Sequence, residues 1–112
     1  MGTLWTIHIV DSPPLKLDYT DLQRALQVTW PDATVTERSG GCNISYEREN
    51  KHSGKYRTEI SFSTTFEYPA FSFEKDYYAF LEFKPWLRNY LPDRYKLATA
   101  FPFQYPASGM YV

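Results

Sequence analysis

Apolar positions along this chain alternate with polar ones in some stretches and recur at helical spacing in others. LWTIHIV, Leu4–Val10, is rich in β-branched and aromatic residues, and the DSPP that follows supplies the turn chemistry that ends a strand. Tyr19, Leu22, Leu26 and Trp30 then recur every three or four residues, with Asp18 in the N-cap position and Pro31 at the far end. This predicts an amphipathic helix with Leu22, Leu26 and Trp30 on its buried face.

Two hairpins follow. A two-residue Gly40-Gly41 loop sets Val35 opposite Tyr46 and Thr36 opposite Ser45, a register that keeps apolar with apolar and polar with polar. The runs CNISYER and KYRTEISFS alternate so that Cys42, Ile44, Tyr46, Tyr56, Thr58, Ile60 and Phe62 face inward, with ENKHSG as the exposed tip. Ser72 stands where it can cap a second helix, to which Phe73, Tyr77, Phe80, Leu81, Leu87 and Leu91 bring apolar contacts and which Pro85 breaks near Lys84. YKLATAF reads as a last strand. The expected fold is an α+β two-layer sandwich: a mostly antiparallel sheet with two helices on one face, in the order β-α-β-β-β-α-β, nearest to the split βαβ architecture.

Composition narrows the class. The 112 residues suit one domain, 1–112, and ten Tyr, eight Phe and three Trp supply apolar area enough to offset the entropy of ordering it. Twelve basic residues against thirteen acidic ones give no bulk attraction to nucleic acid or to an anionic membrane. No apolar stretch approaches the roughly 20 residues of a membrane span, and a single cysteine, Cys42, points to a reducing cytoplasm.

The strand parity defines a second, polar sheet face: Thr34, Thr36, Arg38, Asn43, Ser45, Glu47, Arg57, Glu59, Ser61 and Ser63. Such a face is ordinarily solvated, with Glu47 and Arg57 as a cross-strand pair. Mixed charge also suits orientation-specific recognition, so Arg38, Glu47, Arg57 and Glu59 are the candidate contacts for a protein partner. A Tyr or Phe platform for bases is disfavoured, because parity turns Tyr46, Tyr56 and Phe62 inward.

Catalytic patterns are weak by comparison. One Cys and two His, without CxxC, HxxxH or HExxH spacing, cannot make a zinc site, and no cofactor motif is present. Cys42 and the tip residue His52 lie at opposite ends of a strand, roughly 20 Å or more apart, whereas a base must reach the thiol within about 3 Å. Arg57 beside Glu47 and Glu59 keeps both ionised, which spoils a general acid. In composition the chain resembles small bacterial immunity and inhibitor proteins, a likeness that covers no specific residues. The expectation is therefore a non-enzymatic protein-binding protein of that type, with a protein partner or a second copy of the chain as its target. The alternative is a small-ligand-binding or enzymatic domain, with a pocket between helix two and the sheet that uses His8, Tyr77 or Tyr78.

The last stretch, 101–112, carries no charge and holds Phe101, Phe103, Tyr105, Met110 and Tyr111 among two prolines. Docking a large side chain is worth about 1.5–3 kcal/mol, so its first half is expected to pack on its own domain, with Tyr105 and Tyr111 as candidate partner anchors. Deleting 106–112 should cost little stability, and deleting 101–112 should cost several kcal/mol, roughly two or three docked rings, in chemical denaturation. Equal stability of both truncations and the full chain would show that the segment serves interaction alone.

Overall fold

The computed structural model describes residues 4–11, 13–50, 54–65, 68–74 and 76–100, so the segment 101–112 with Tyr105 and Tyr111, and the tip residue His52, lie outside the described residues. The order is β1 (Leu4–Val10), α1 (Tyr19–Thr29), β2 (Thr34–Arg38), β3 (Gly41–Asn50), β4 (Gly54–Ser63), β5 (Ala70–Glu74), α2 (Tyr77–Tyr90) and β6 (Lys96–Ala100). This is the expected α+β architecture with one additional strand, β5.

All pairings in the six-stranded sheet are antiparallel, in the order β2-β3-β4-β5-β1-β6. Because β1 lies between β5 and β6 and runs against both, β5 and β6 are parallel to each other and joined through α2, a split βαβ unit. Inward residues of every central strand (Ile7, Ile9, Ile44, Tyr46, Ile60, Phe62, Phe71 and Phe73) form one core with Leu22 and Leu26 of α1 and Ala79, Phe80, Phe83 and Leu87 of α2. Both helices therefore cover the same face.

Helix α1 starts where the sequence places it. Asp18 Oδ1 accepts from the backbone N–H groups of Thr20 and Asp21, and Leu22 and Leu26 are fully buried. Trp30 is the C-cap rather than a helical core position, half-buried and stacked on Tyr46 with ring centroids 4.2 Å apart. The edge strand β2 is tied to this helix. Gln23 Oε1 accepts from Val35 N–H at 2.8 Å, and Gln27 Nε2 donates to the Ala33 carbonyl at 3.0 Å, which occupies edge groups that could otherwise recruit a foreign strand.

Helix α2 departs from expectation in three ways. Ser72 and Phe73 belong to β5, with Phe73 in the core, and the cap is Asp76, which accepts from Ala79 N–H at 3.1 Å. The helix does not break near Lys84 but runs through Pro85, which sits on its exposed side. The carbonyl four residues back, that of Leu81, belongs to a residue that is itself exposed, so water can take the lost hydrogen bond. Leu81 accordingly lies outside the core. At the C-terminal end, Arg88 donates to the carbonyls of Leu91, Pro92 and Tyr95, which makes it a capping residue.

The β2–β3 hairpin differs by two residues from the expected register: Val35 faces Ile44, Thr36 faces Asn43, and the loop is Ser39-Gly40. Gly40 takes the left-handed φ of 78°, while Gly41 enters β3 at a point where a Cβ would lie 1.8 Å from the Phe62 carbonyl oxygen. The glycine pair thus divides its work between a turn and a close strand approach. An even shift preserves parity, so the polar face keeps its composition. Gly41→Ala should accordingly cost about 1–3 kcal/mol or more through forced backbone displacement. Gly54→Ala, at φ 76° but with nothing near its Cβ, should cost only the left-handed strain of roughly 1–2 kcal/mol. Urea denaturation of the two variants measures the contrast.

Candidate functional site

The sheet face away from the helices carries Thr34, Thr36, Asn43, Ser45, Arg57, Glu59 and Ser61, as strand parity requires. β1 and β5 extend it with Thr6, His8, Ser72 and Glu74. A hollow of about 500 Å³ opens in its middle, lined by Leu4, Thr36, Asn43, Ser45, Glu59, Ser61, Ser72 and Glu74. Small hydroxyl and amide side chains form its floor, and two exposed carboxylates stand over it.

This hollow follows from how β4 is paired. It pairs with β3 over ten residues, from Gly54 to Ser63, but with β5 only at Ser61, Phe62 and Ser63. Two residues further in that register Glu59 would stand opposite Glu74, and directly opposed like charges disfavour continuing the ladder. The strands part there, leaving the concavity on one face.

Two arginines are fixed beside the hollow. Arg38 donates from Nε to Asn43 Oδ1 at 3.0 Å, and from its terminal nitrogens to Ser61 Oγ and the carbonyls of Ser39 and Phe62. Arg57 stands opposite Glu47 in the ladder, but its guanidinium turns to Asp32, with which it forms an ion pair, and to Ser45 Oγ at 2.8 Å. Asp32 Oδ1 also accepts from Glu47 N–H at 3.0 Å, and that amide, followed by the guanidinium, holds the Asp32 carboxyl below its ordinary pKa. The structure therefore brings Arg38, Glu47, Arg57 and Glu59 onto one face, with the Glu47–Arg57 pair replaced by Asp32–Arg57.

Behind the parting strands lies a cluster that the sequence did not reveal. Arg48, an inward residue of β3 with 4% of its side chain exposed, donates to Asp76 Oδ1 at 2.7 Å, Glu82 Oε1 at 3.1 Å and Thr58 Oγ1 at 2.8 Å. It also bonds the Tyr56 hydroxyl, with its guanidinium carbon 4.5 Å from that ring's centroid. Thr58 Oγ1 in turn donates to Asp76 Oδ2 at 3.2 Å. The signal in the sequence is slight: one arginine at an inward strand position, in step with Ile44 and Tyr46.

The residues of the alternative pocket are not brought together. His8 sits on the open face between Ala70 and Ala98, with Nε2 2.9 Å from Thr6 Oγ1 and its imidazole pKa lowered by burial. Tyr77 and Tyr78 start α2 on the other side of the sheet, Tyr77 against Trp5 with ring centroids 5.2 Å apart. Cys42 is fully buried, and burial pushes its thiol up to about 11, so it stays protonated and unreactive at neutral pH. Among the described residues no group of three or more His, Cys, Asp or Glu is placed to hold a metal ion.

The chain matches no protein-family model, and no curated protein or solved structure matches it.

The two arginines of the central hairpin should respond very differently to truncation. Arg48→Met strands Asp76 without its cation and should cost about 3–5 kcal/mol in urea denaturation. Arg57→Met on the open face should cost less than about 1 kcal/mol, the usual worth of an exposed pair. Equal losses would mean that the open face is covered by the protein's own chain.

Proposed function

We propose that the protein is a non-enzymatic binding protein of the inhibitor or immunity type, which sets its open sheet face against a protein partner and blocks that partner's surface. The observation that carries this reading is the helix-free face itself: a concave, hydrogen-bonded platform lined by Glu59 and Glu74, which have no ion-pair partner among the described residues, with the anchored guanidiniums of Arg38 and Arg57 beside them. Groups held in place before binding lose little entropy on docking, and alternating charge fixes orientation and rejects wrong partners. The reading places the protein in a cytoplasm, in keeping with its single, buried cysteine; no helix among the described residues is long and apolar enough to cross a membrane.

The test uses the full chain as bait, with the double variant Glu59→Arg, Glu74→Arg as its matched control. A stoichiometric protein partner should be retained by the wild type, and direct titration should show affinity weakened by roughly tenfold or more in the variant, since reversed charges at a docked face cost more than one such unit of binding energy. The melting temperature should stay within a few degrees, as expected for exposed charges. Unchanged affinity in a folded variant would move the recognition surface elsewhere, and absence of any stoichiometric partner would overturn the reading.

A further inference from the structure

The open-face hollow takes its relief from two neighbouring rows of side chains. Thr36, Asn43, Ser61, Ser72 and Thr6 stand opposite one another in turn across β2, β3, β4, β5 and β1, a row in which no side chain is longer than asparagine. The adjacent row carries Ser45 and Glu59 on one side of the β4–β5 parting and Glu74 and Leu4 on the other. Long glutamates beside short hydroxyls leave a depression, and Glu59 and Glu74 line that hollow of about 500 Å³ from two different strands. Neither carboxylate has an ion-pair partner among the described residues. The hollow at the β3 edge, about 520 Å³ lined by Trp30, Trp86 and Glu82, differs in this respect, because Glu82 is already paired with Arg48.

We propose that the open-face hollow receives the ammonium group of a lysine on the partner polypeptide, an inference that rests on the binding reading above for the source of that lysine. Charge complementarity selects a cation: two carboxylates on either side of a gap repel each other, and a cation between them is attracted by both. The disposition of donors decides which cation. The three N–H groups of an ammonium spread in three directions, so they can address Glu59, Glu74 and a floor hydroxyl together. A guanidinium presents a planar fork suited to a single carboxylate and gains further where a ring can stack on it, and no aromatic side chain among the described residues lines this hollow. The floor also discriminates along its length. Arg38 holds Asn43 Oδ1 and Ser61 Oγ toward the β2 end, where its charge repels a second cation, whereas the Ser72 hydroxyl on β5 has no hydrogen-bond partner among the described residues. Leu4, exposed and two strands from Glu59, stands opposite Glu74 and offers an apolar wall along which the methylene stem of the lysine can lie.

The experiment records backbone amide shifts of the isotope-labelled full chain during titration with acetyl-Gly-Lys-Gly-amide, the same peptide acetylated at Nζ, its arginine counterpart and calcium chloride. The expected result is saturable shifts at Glu59, Ser61, Ser72 and Glu74 with the lysine peptide that weaken as salt is raised, no saturable response to the acetylated peptide, and at least about threefold weaker binding of the arginine peptide. Glu59→Gln and Glu74→Gln, both at exposed positions, should each weaken binding by about threefold or more, and the two together should remove the response while leaving the melting curve in place. No saturable shift at these residues, or equal binding of the acetylated peptide, overturns the proposal. Equal or tighter binding of the arginine peptide overturns the choice of an ammonium, and saturation by calcium below the peptide concentration needed replaces the polypeptide source by a metal ion. Failure of the peptide titration, with a partner retained by the wild type and weakened on Glu59 and Glu74 reversal, would refute this occupant alone. A saturable response to the lysine peptide with no stoichiometric partner would refute only the blocking reading.

Discussion

One carboxylate joins the two layers. Asp76 caps α2 through Ala79 N–H, accepts from the Arg48 guanidinium and accepts from Thr58, so a helix start, an inward arginine of β3 and an inward threonine of β4 meet on a single side chain. Each contact answers a need of the others. The helix N-terminus favours a negative charge, and a guanidinium with 4% of its side chain exposed needs a counterion. The gap left where β4 and β5 part also needs polar atoms that satisfy one another. A buried ion cluster of this kind is weak evidence for stability, because desolvation offsets most of its attraction. Its effect here is on specification: it fixes where the long hairpin lies against α2.

That hairpin is the organising feature of the surface. Ten residue pairs join β3 to β4, but β2 and β5 each cover only part of its length. The uncovered portion generates both concavities, one on the open face where Glu59 and Glu74 keep β4 and β5 apart, the other on the β3 edge where the chain leaving α1 replaces a strand. In the second case Asp32 Oδ1 takes the Glu47 N–H that a longer β2 would have bonded. These two concavities are thus a result of unequal strand lengths, not of loops.

Parity was the most legible property of the sequence. Of the inward set, Cys42, Ile44, Tyr46, Thr58, Ile60 and Phe62 are buried and Tyr56 is half-buried, and the polar face follows from the same alternation. A two-residue error in the first hairpin left it intact, since side chains repeat every two residues. Less legible was the boundary between β5 and α2. Phe71 and Phe73 alternate as a strand does, yet Phe73, Tyr77, Phe80 and Leu81 also fit helical spacing, and Ser72 and Asp76 are both good caps. What decides is tertiary: β1 and β4 each offer a pairing edge to Ala70–Glu74, and Asp76 meets Arg48. The Arg48 cluster, and the hollow beside it, could not be read from spacing, because its members are 8, 10, 28 and 34 positions away from that arginine.

The same cluster explains why the open face stays open. A one-residue slip of β4 against β3 would turn Arg57 and Glu59 inward and Thr58 outward. Glu59 would then approach Asp76 and Glu82 under a core of Phe73, Phe80 and Phe83, adding a like charge in a poorly solvated place and removing the threonine hydroxyl that Arg48 and Asp76 share. Apolar residues in the core would already oppose this slip, and the charges raise its cost at the end of the hairpin where apolar contacts thin out. The ionic groups on the inner side therefore hold Arg57 and Glu59 on the outer side, and the surface available to a partner is determined by residues that a partner on the open face would not touch.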